Sequence, residues 1–240
     1  MQIRIIDLLA WMTGTSLIMA GYQLFGESEA PNEIVKTVEI ISRLILSAIF
    51  GAALAGAGFV IARIVRGGKL SPAHWLLLMG AFSIVASFAV WAWYHWGEDT
   101  LEFDEQRFIA VQLYSAGVNL LSGMAYLVLS IFLRDKSRWT ALFIGFGLME
   151  FLLALLHGLL AWTFWSDAFF DFFDLPGFGR LFTMSIALIW LSIVAALDFR
   201  GPPSRDGLHW TGIGVQLASL LFGLINMAWW MWGFPMFMDY

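Results

Sequence analysis

The chain has 240 residues, 60% of them hydrophobic and only 13% charged, with a formal net charge of −5 and no cysteine. A soluble fold of this length cannot hide so much apolar surface, whereas stretches of about 20 apolar residues recur throughout and each can span a hydrocarbon core of about 30 Å. The missing cysteines exclude disulfides, thiolate metal sites, iron–sulfur clusters and cysteine nucleophiles.

Seven spans are predicted, at roughly 5–25, 38–62, 73–95, 108–133, 140–165, 180–198 and 211–232. Backbone in lipid must satisfy its own hydrogen bonds, so the spans are helices or barrel strands. Their continuous apolar runs lack the alternation of barrel strands. The expected fold class is all-α, one domain over residues 1–240, a polytopic bundle of seven transmembrane helices.

The first span carries Arg4 and Asp7 near its start, is too long for a signal-peptide core and has no small-residue cleavage pattern after it; it reads as a retained helix. The second contains GAALAGAG at 51–58, a small-residue run suited to close helix packing. Ser71-Pro72 supplies an N-cap and an N1 proline for the third. After it comes an acidic loop, 98–105; with His95, the residues Glu98, Asp99 and Glu102 are suitable for a hard cation, but a solvated loop explains them as well, and no metal site is predicted. Asp104 or Glu105 can cap the fourth span and Asp206 the seventh. DAFFDFFD at 167–174 puts Asp167, Asp171 and Asp174 on one face and suits a short amphipathic helix at the outer surface.

With the N-terminus in the cytoplasm, the inner side receives Arg4, Arg63, Arg66, Lys69, Arg134, Lys136, Arg138, Arg200 and Arg205, and the outer side only Lys36, Arg43, Arg107 and Arg180. That is the positive-inside pattern for an N-in, C-out chain. The orientation is opposite to that of rhodopsin-type seven-helix proteins, and no lysine after Lys136 exists to form a retinal Schiff base. Trp75, Trp139 and Trp210 open three spans, and Trp91, Trp93, Trp96, Trp162, Trp165, Trp229, Trp230 and Trp232 close them, which reads as an aromatic belt.

Two inner turns resemble each other. VRGGKLSPAHW (65–75) and FRGPPSRDGLHW (199–210) both end in His-Trp, the helices entering them open on Arg-Leu at 43 and 180, and those leaving them end in WYHWG and WWMWG. One helix followed by three diverged hairpins would produce this; so would the general need for arginine inside and tryptophan at the edges.

Polar residues inside the spans concentrate on three helices. The fourth has Gln112, Ser115, Asn119 and Ser122 in one stripe, the fifth has Glu150 and His157 two turns apart on one face, and the seventh has Gln216, Ser219 and Asn226 in another stripe. From the predicted span centres, Glu150 falls about 3 Å to the inner side of the midplane and His157 about 7 Å outward, level with Ser115 and Asn226. A seam shared by the fourth, fifth and seventh helices is therefore expected. An ionised acid at that depth costs at least about 2.5 kcal/mol, so an unpaired Glu150 is expected to hold a proton.

Three functions fit. The first is an integral subunit or scaffold of a larger membrane complex, with other membrane subunits or a second copy as partner and no catalytic motif of its own. The second is a proton-linked carrier or channel for a small solute, using Glu150, His157, Asn119, Gln112, Ser115, Gln216 and Asn226. The third is a membrane-embedded redox protein or enzyme. For the last, haem b needs histidines at matched depth; His74 and His209 lie at the inner interface, His95 at the outer edge and His157 between, so haem b is not predicted, nor is another cofactor. No catalytic residues, hydrolase motif, phosphate loop or nucleic-acid-binding patch is present, and a cell membrane, of the bacterial inner type, is the expected location.

Overall fold

A computed structural model describes residues 5–25, 33–95, 105–133, 136–163, 175–200 and 206–229. Every described element is a helix: α1 (Ile5–Phe25), α2 (Glu33–Val65), α3 (Pro72–His95), α4 (Glu105–Phe132), α5 (Ser137–Thr163), α6 (Leu175–Phe199) and α7 (Gly207–Ala228). The acidic loop at 98–104, the DAFFDFFD segment, the side chains of His95, Trp91 and Trp93, and the outer tryptophans 96, 165, 230 and 232 lie outside the described residues.

Six of the seven helices are long and apolar enough to cross a membrane, which makes this a multi-pass membrane protein. Large side chains such as Leu155 on α5, Ile131 on α4 and Ile189 on α6 are 71%, 68% and 62% exposed, surface that only a lipid solvent favours. The remaining helix, α1, is apolar over Leu9–Gly21, the part of it whose side chains are described. The hydroxyls of Thr13 and Thr15 are satisfied within the helix, donating to the carbonyls of Leu9 and Trp11 at 2.9 Å each.

The helices group into two compact units, Met1–Ile84 with Phe199–Phe222, and Val85–Asp198 with Gly223–Tyr240. In the first, α1 and α2 touch backbone to backbone. A Cβ on Gly14 would stand 2.7 Å from the Gly51 carbonyl oxygen, and one on Gly51 2.4 Å from the Thr15 nitrogen. Dispersion between closely approached backbones is the main attraction available between helices in lipid, so glycine at this crossing is a packing requirement. The Trp11 indole adds a 3.0 Å hydrogen bond to the Ala48 carbonyl.

The two His-Trp turns meet in this unit. Ser71 and Asp206 are the N-caps of α3 and α7, and each acts on the histidine three residues on. The Ser71 amide donates to Nδ1 of His74 at 3.0 Å, and the His209 amide donates to Oδ1 of Asp206 at 2.9 Å. These are the two halves of a capping box, one on each helix. Each cap also reaches the histidine of the other turn. Because Nδ1 of His74 accepts, its Nε2–H donates to Asp206, at 3.1 Å, while Nδ1 of His209 and the Ser71 hydroxyl are 2.9 Å apart. Arg63, at the end of α2, closes on the second Asp206 oxygen. Both histidines are fully buried. The two similar turns thus form a crossed, reciprocal pair of caps.

Burial pushes the Asp206 carboxyl up, but the His209 amide, Arg63 and His74 outweigh it and hold it below the ordinary carboxylate range. A group depressed in the folded state contributes stability above its unfolded value and loses it as pH falls through the folded one. Thermal denaturation in nanodiscs should therefore show stability falling progressively below about pH 4. Asp206→Asn should lower the melting temperature at neutral pH and flatten that acid limb.

In the second unit α5 is central. Gly123 on α4 and Gly147 on α5 face each other, each hypothetical Cβ standing 3.0 and 3.1 Å from the other's carbonyl oxygen. On its other side α5 meets α6, where the Trp190 ring fills the space above Gly145 and Leu156 packs on Gly179. Trp139 corrects the aromatic-belt expectation: it is fully buried, its indole donating to Oδ2 of buried Asp198 at 3.1 Å, with Arg138 on Oδ1 at 2.6 Å. Its ring also lies 6.3 Å from that of Phe143. A tryptophan at a helix start, next to an arginine, is here an internal anchor for the end of α6.

Candidate functional site: an ionisable cluster on α4, α5 and α6

Glu150 is the midpoint of Ser137–Thr163, so it sits at the centre of its span rather than displaced toward one end. One turn from Gly147, its Cβ lies against Gly123, where a Cβ would be only 3.4 Å away. The Gly123–Gly147 crossing therefore presses the carboxylate-bearing turn onto α4. Below it Tyr126, 4% exposed, stacks edge-on to Phe143 and Phe146 at 5.6 and 5.5 Å and lies in the field of Glu150.

His157 lies two turns further along α5, about 10 Å from Glu150 along the axis. Its Nδ1 is 2.6 Å from Oε1 of Gln112 on α4, and its Nε2 is 3.3 Å from Nη2 of Arg180 on α6. A guanidinium has donors and no acceptor, so Nε2 must carry the lone pair and Nδ1 the proton. The ring is thus a neutral imidazole, donating to Gln112 and accepting from Arg180. With both nitrogens occupied and Glu150 two turns away, His157 orients Arg180 rather than meeting the carboxylate.

Arg180 is the member that sequence reading placed elsewhere, among the outer-loop cations. Helix α6 begins at Leu175, five residues before the predicted start, and this carries Arg180 into its second turn. Gly179 lets Leu156 approach to a distance no side chain would allow, which brings Arg180 beside His157. Arg180 and Glu150 interact through charge, and no direct ion pair joins them among the described residues.

The other predicted residues divide. Gln112 joins the cluster directly. Asn119, two turns along the same face of α4, lies between the Gln112–His157 contact and the Gly123–Glu150 contact, and its buried Nδ2 has no hydrogen-bond partner among the described residues. Ser115 and Asn226 are half-buried, and Ser122 is buried. Gln216 belongs to the first unit, where a Cβ on Gly80 of α3 would stand 3.7 Å from its Oε1. The cation that completes the cluster thus comes from α6. No family model, curated protein or solved structure matches this chain. What the cluster does must be argued from its own chemistry. Among the described residues, no three histidine, aspartate or glutamate side chains gather as metal ligands. The groups present can take up one proton, at Glu150, and hold one positive charge at a fixed place, at Arg180.

Proposed function

We propose that the chain is a proton-linked carrier of a small solute, working through the cluster on α4, α5 and α6 in a cell membrane, with the N-terminus cytoplasmic. The observation that supports it is Glu150 at the midpoint of a membrane-spanning helix, within the field of an arginine that a histidine and a glutamine hold in position. Ionisable groups inside membrane spans are costly and are retained chiefly along ion and proton pathways. Gln112, His157 and Arg180 lie toward one end of the spans and Glu150 deeper, which gives a graded path from that end inward.

The test is proton entry into proteoliposomes driven by an inward gradient of small solutes, supplied as a panel, and read with a trapped pH dye. The wild type should acidify the lumen faster than protein-free vesicles, and Glu150→Gln, which keeps the shape and loses the proton, should reduce the rate to background while eluting as a single folded species. A variant as fast as wild type would sink the reading. A silent wild type that leaves native membranes with stoichiometric partners would make the chain an integral subunit of that complex instead.

A further inference from the structure

We propose that the cluster takes a small monocarboxylate together with the proton on Glu150, with Arg180 and Asn119 as the ligand-facing donors. This rests on the carrier reading and names its substrate class. The unused groups in the cluster are donors. Among the described residues, Arg180 gives one hydrogen bond, to His157, and interacts with Glu150 through charge without a direct ion pair. Asn119 keeps a buried amide nitrogen without a partner among the described residues. A buried donor lacking an acceptor is costly, and a carboxylate is the acceptor that a guanidinium fork fits with two parallel bonds.

Charge counting selects the proton as its companion. The groups facing the cluster are Gln112, Asn119 and Tyr126 from α4, Glu150 and His157 from α5, and Arg180 from α6. His157 is held neutral, since Arg180 donates into its lone pair. With Glu150 ionised, Arg180 is balanced, and an added anion would leave one net negative charge in lipid. With Glu150 protonated, Arg180 stands as one net positive charge, and a monoanion brings the total to zero. Anion and proton therefore enter and leave as a neutral pair, which the low dielectric of the membrane favours. A dianion or a cation would leave the occupied site charged.

The experiment uses sodium lactate as probe, at constant ionic strength, on the full chain in nanodiscs, with calorimetry at mildly acidic and mildly alkaline pH, and uptake of radiolabelled lactate into proteoliposomes. Lactate should bind more tightly at the acidic pH, and uptake should follow an inward proton gradient. Arg180→Lys keeps the charge but not the fork and should weaken binding about tenfold or more. Should that variant misfold, Asn119→Ala provides the alternative and should weaken binding about tenfold. Lactate that fails to bind at either pH, or that binds both variants as tightly as wild type, overturns the proposal. If another solute of the panel drives proton entry that depends on Glu150 while lactate does nothing, the carrier reading stands and the substrate class falls. If neither occurs, both fall.

Discussion

Gly212→Ala should strongly destabilise the protein, while Gly214→Ala, two residues on in the same helix, should leave it as stable or slightly more so. Alanine is normally better than glycine in a helix by about 1 kcal/mol, and Gly214 is exposed with open space around its Cα, so that gain is available there. At Gly212 a Cβ would stand 2.2 Å from the carbonyl oxygen of Ala73. That oxygen belongs to the backbone of the first turn of α3 and cannot rotate away. Relief requires α3 and α7 to separate at the point where His74 meets Asp206 and Ser71 meets His209, so the methyl group costs its own overlap and strains the two part-buried polar contacts that join the helices. Overpacking alone costs about 1–3 kcal/mol, and loss of a buried hydrogen bond adds to it. Thermal denaturation of the two variants in the same nanodisc gives the answer. Equal melting temperatures for Gly212→Ala and wild type would mean that the two turns do not approach as described.

The same junction shows what could be read in advance. The number and approximate place of the helices follow from apolar run length, and the caps Ser71 and Asp206 are local signals, so both were legible, whereas the polar first turns of α2 and the loop-like start of α6 were not. The likeness of SPAHW to DGLHW was visible too, but that each cap binds the other turn's histidine depends on a contact between residues more than a hundred positions apart. Trp139 was misread because a tryptophan beside an arginine at a helix start looks the same whether it faces headgroups or a buried aspartate. Asp198, which decides the matter, sits at the far end of α6. Glu150, His157, Gln112 and Asn119 stood out as polar groups in apolar runs. Arg180 did not, because an arginine at the edge of a hydrophobic stretch is ordinary. The available clue was an uncompensated carboxylate at mid-span, which calls for a cation, together with the small Gly179 immediately before the nearest outer arginine.

His157→Leu should cost about 1–3 kcal/mol, more than Gln112→Leu, because it removes a group that two neighbours depend on. Leucine fills much of the same volume, so the change is chiefly one of polarity. Without the imidazole, Oε1 of Gln112 loses its donor at 2.6 Å and Arg180 loses the acceptor to which it gives its hydrogen bond. Arginine cannot shed its charge to escape this; among the described residues Glu150 is the opposing charge, and it makes no direct ion pair. Gln112→Leu leaves one orphan, the Nδ1–H of His157, and an imidazole can move its proton to the other nitrogen only if Arg180 turns away. The double variant should therefore be no worse than His157→Leu alone, since the Gln112 acceptor stranded by the first change is removed by the second. Nitrogen NMR of labelled histidine in the wild type checks the premise, with the proton expected on Nδ1 of a neutral ring. A signal from the other tautomer, or a Gln112→Leu penalty exceeding that of His157→Leu, would show that His157 does not hold Arg180. The α6 cation would then be placed by its own helix alone.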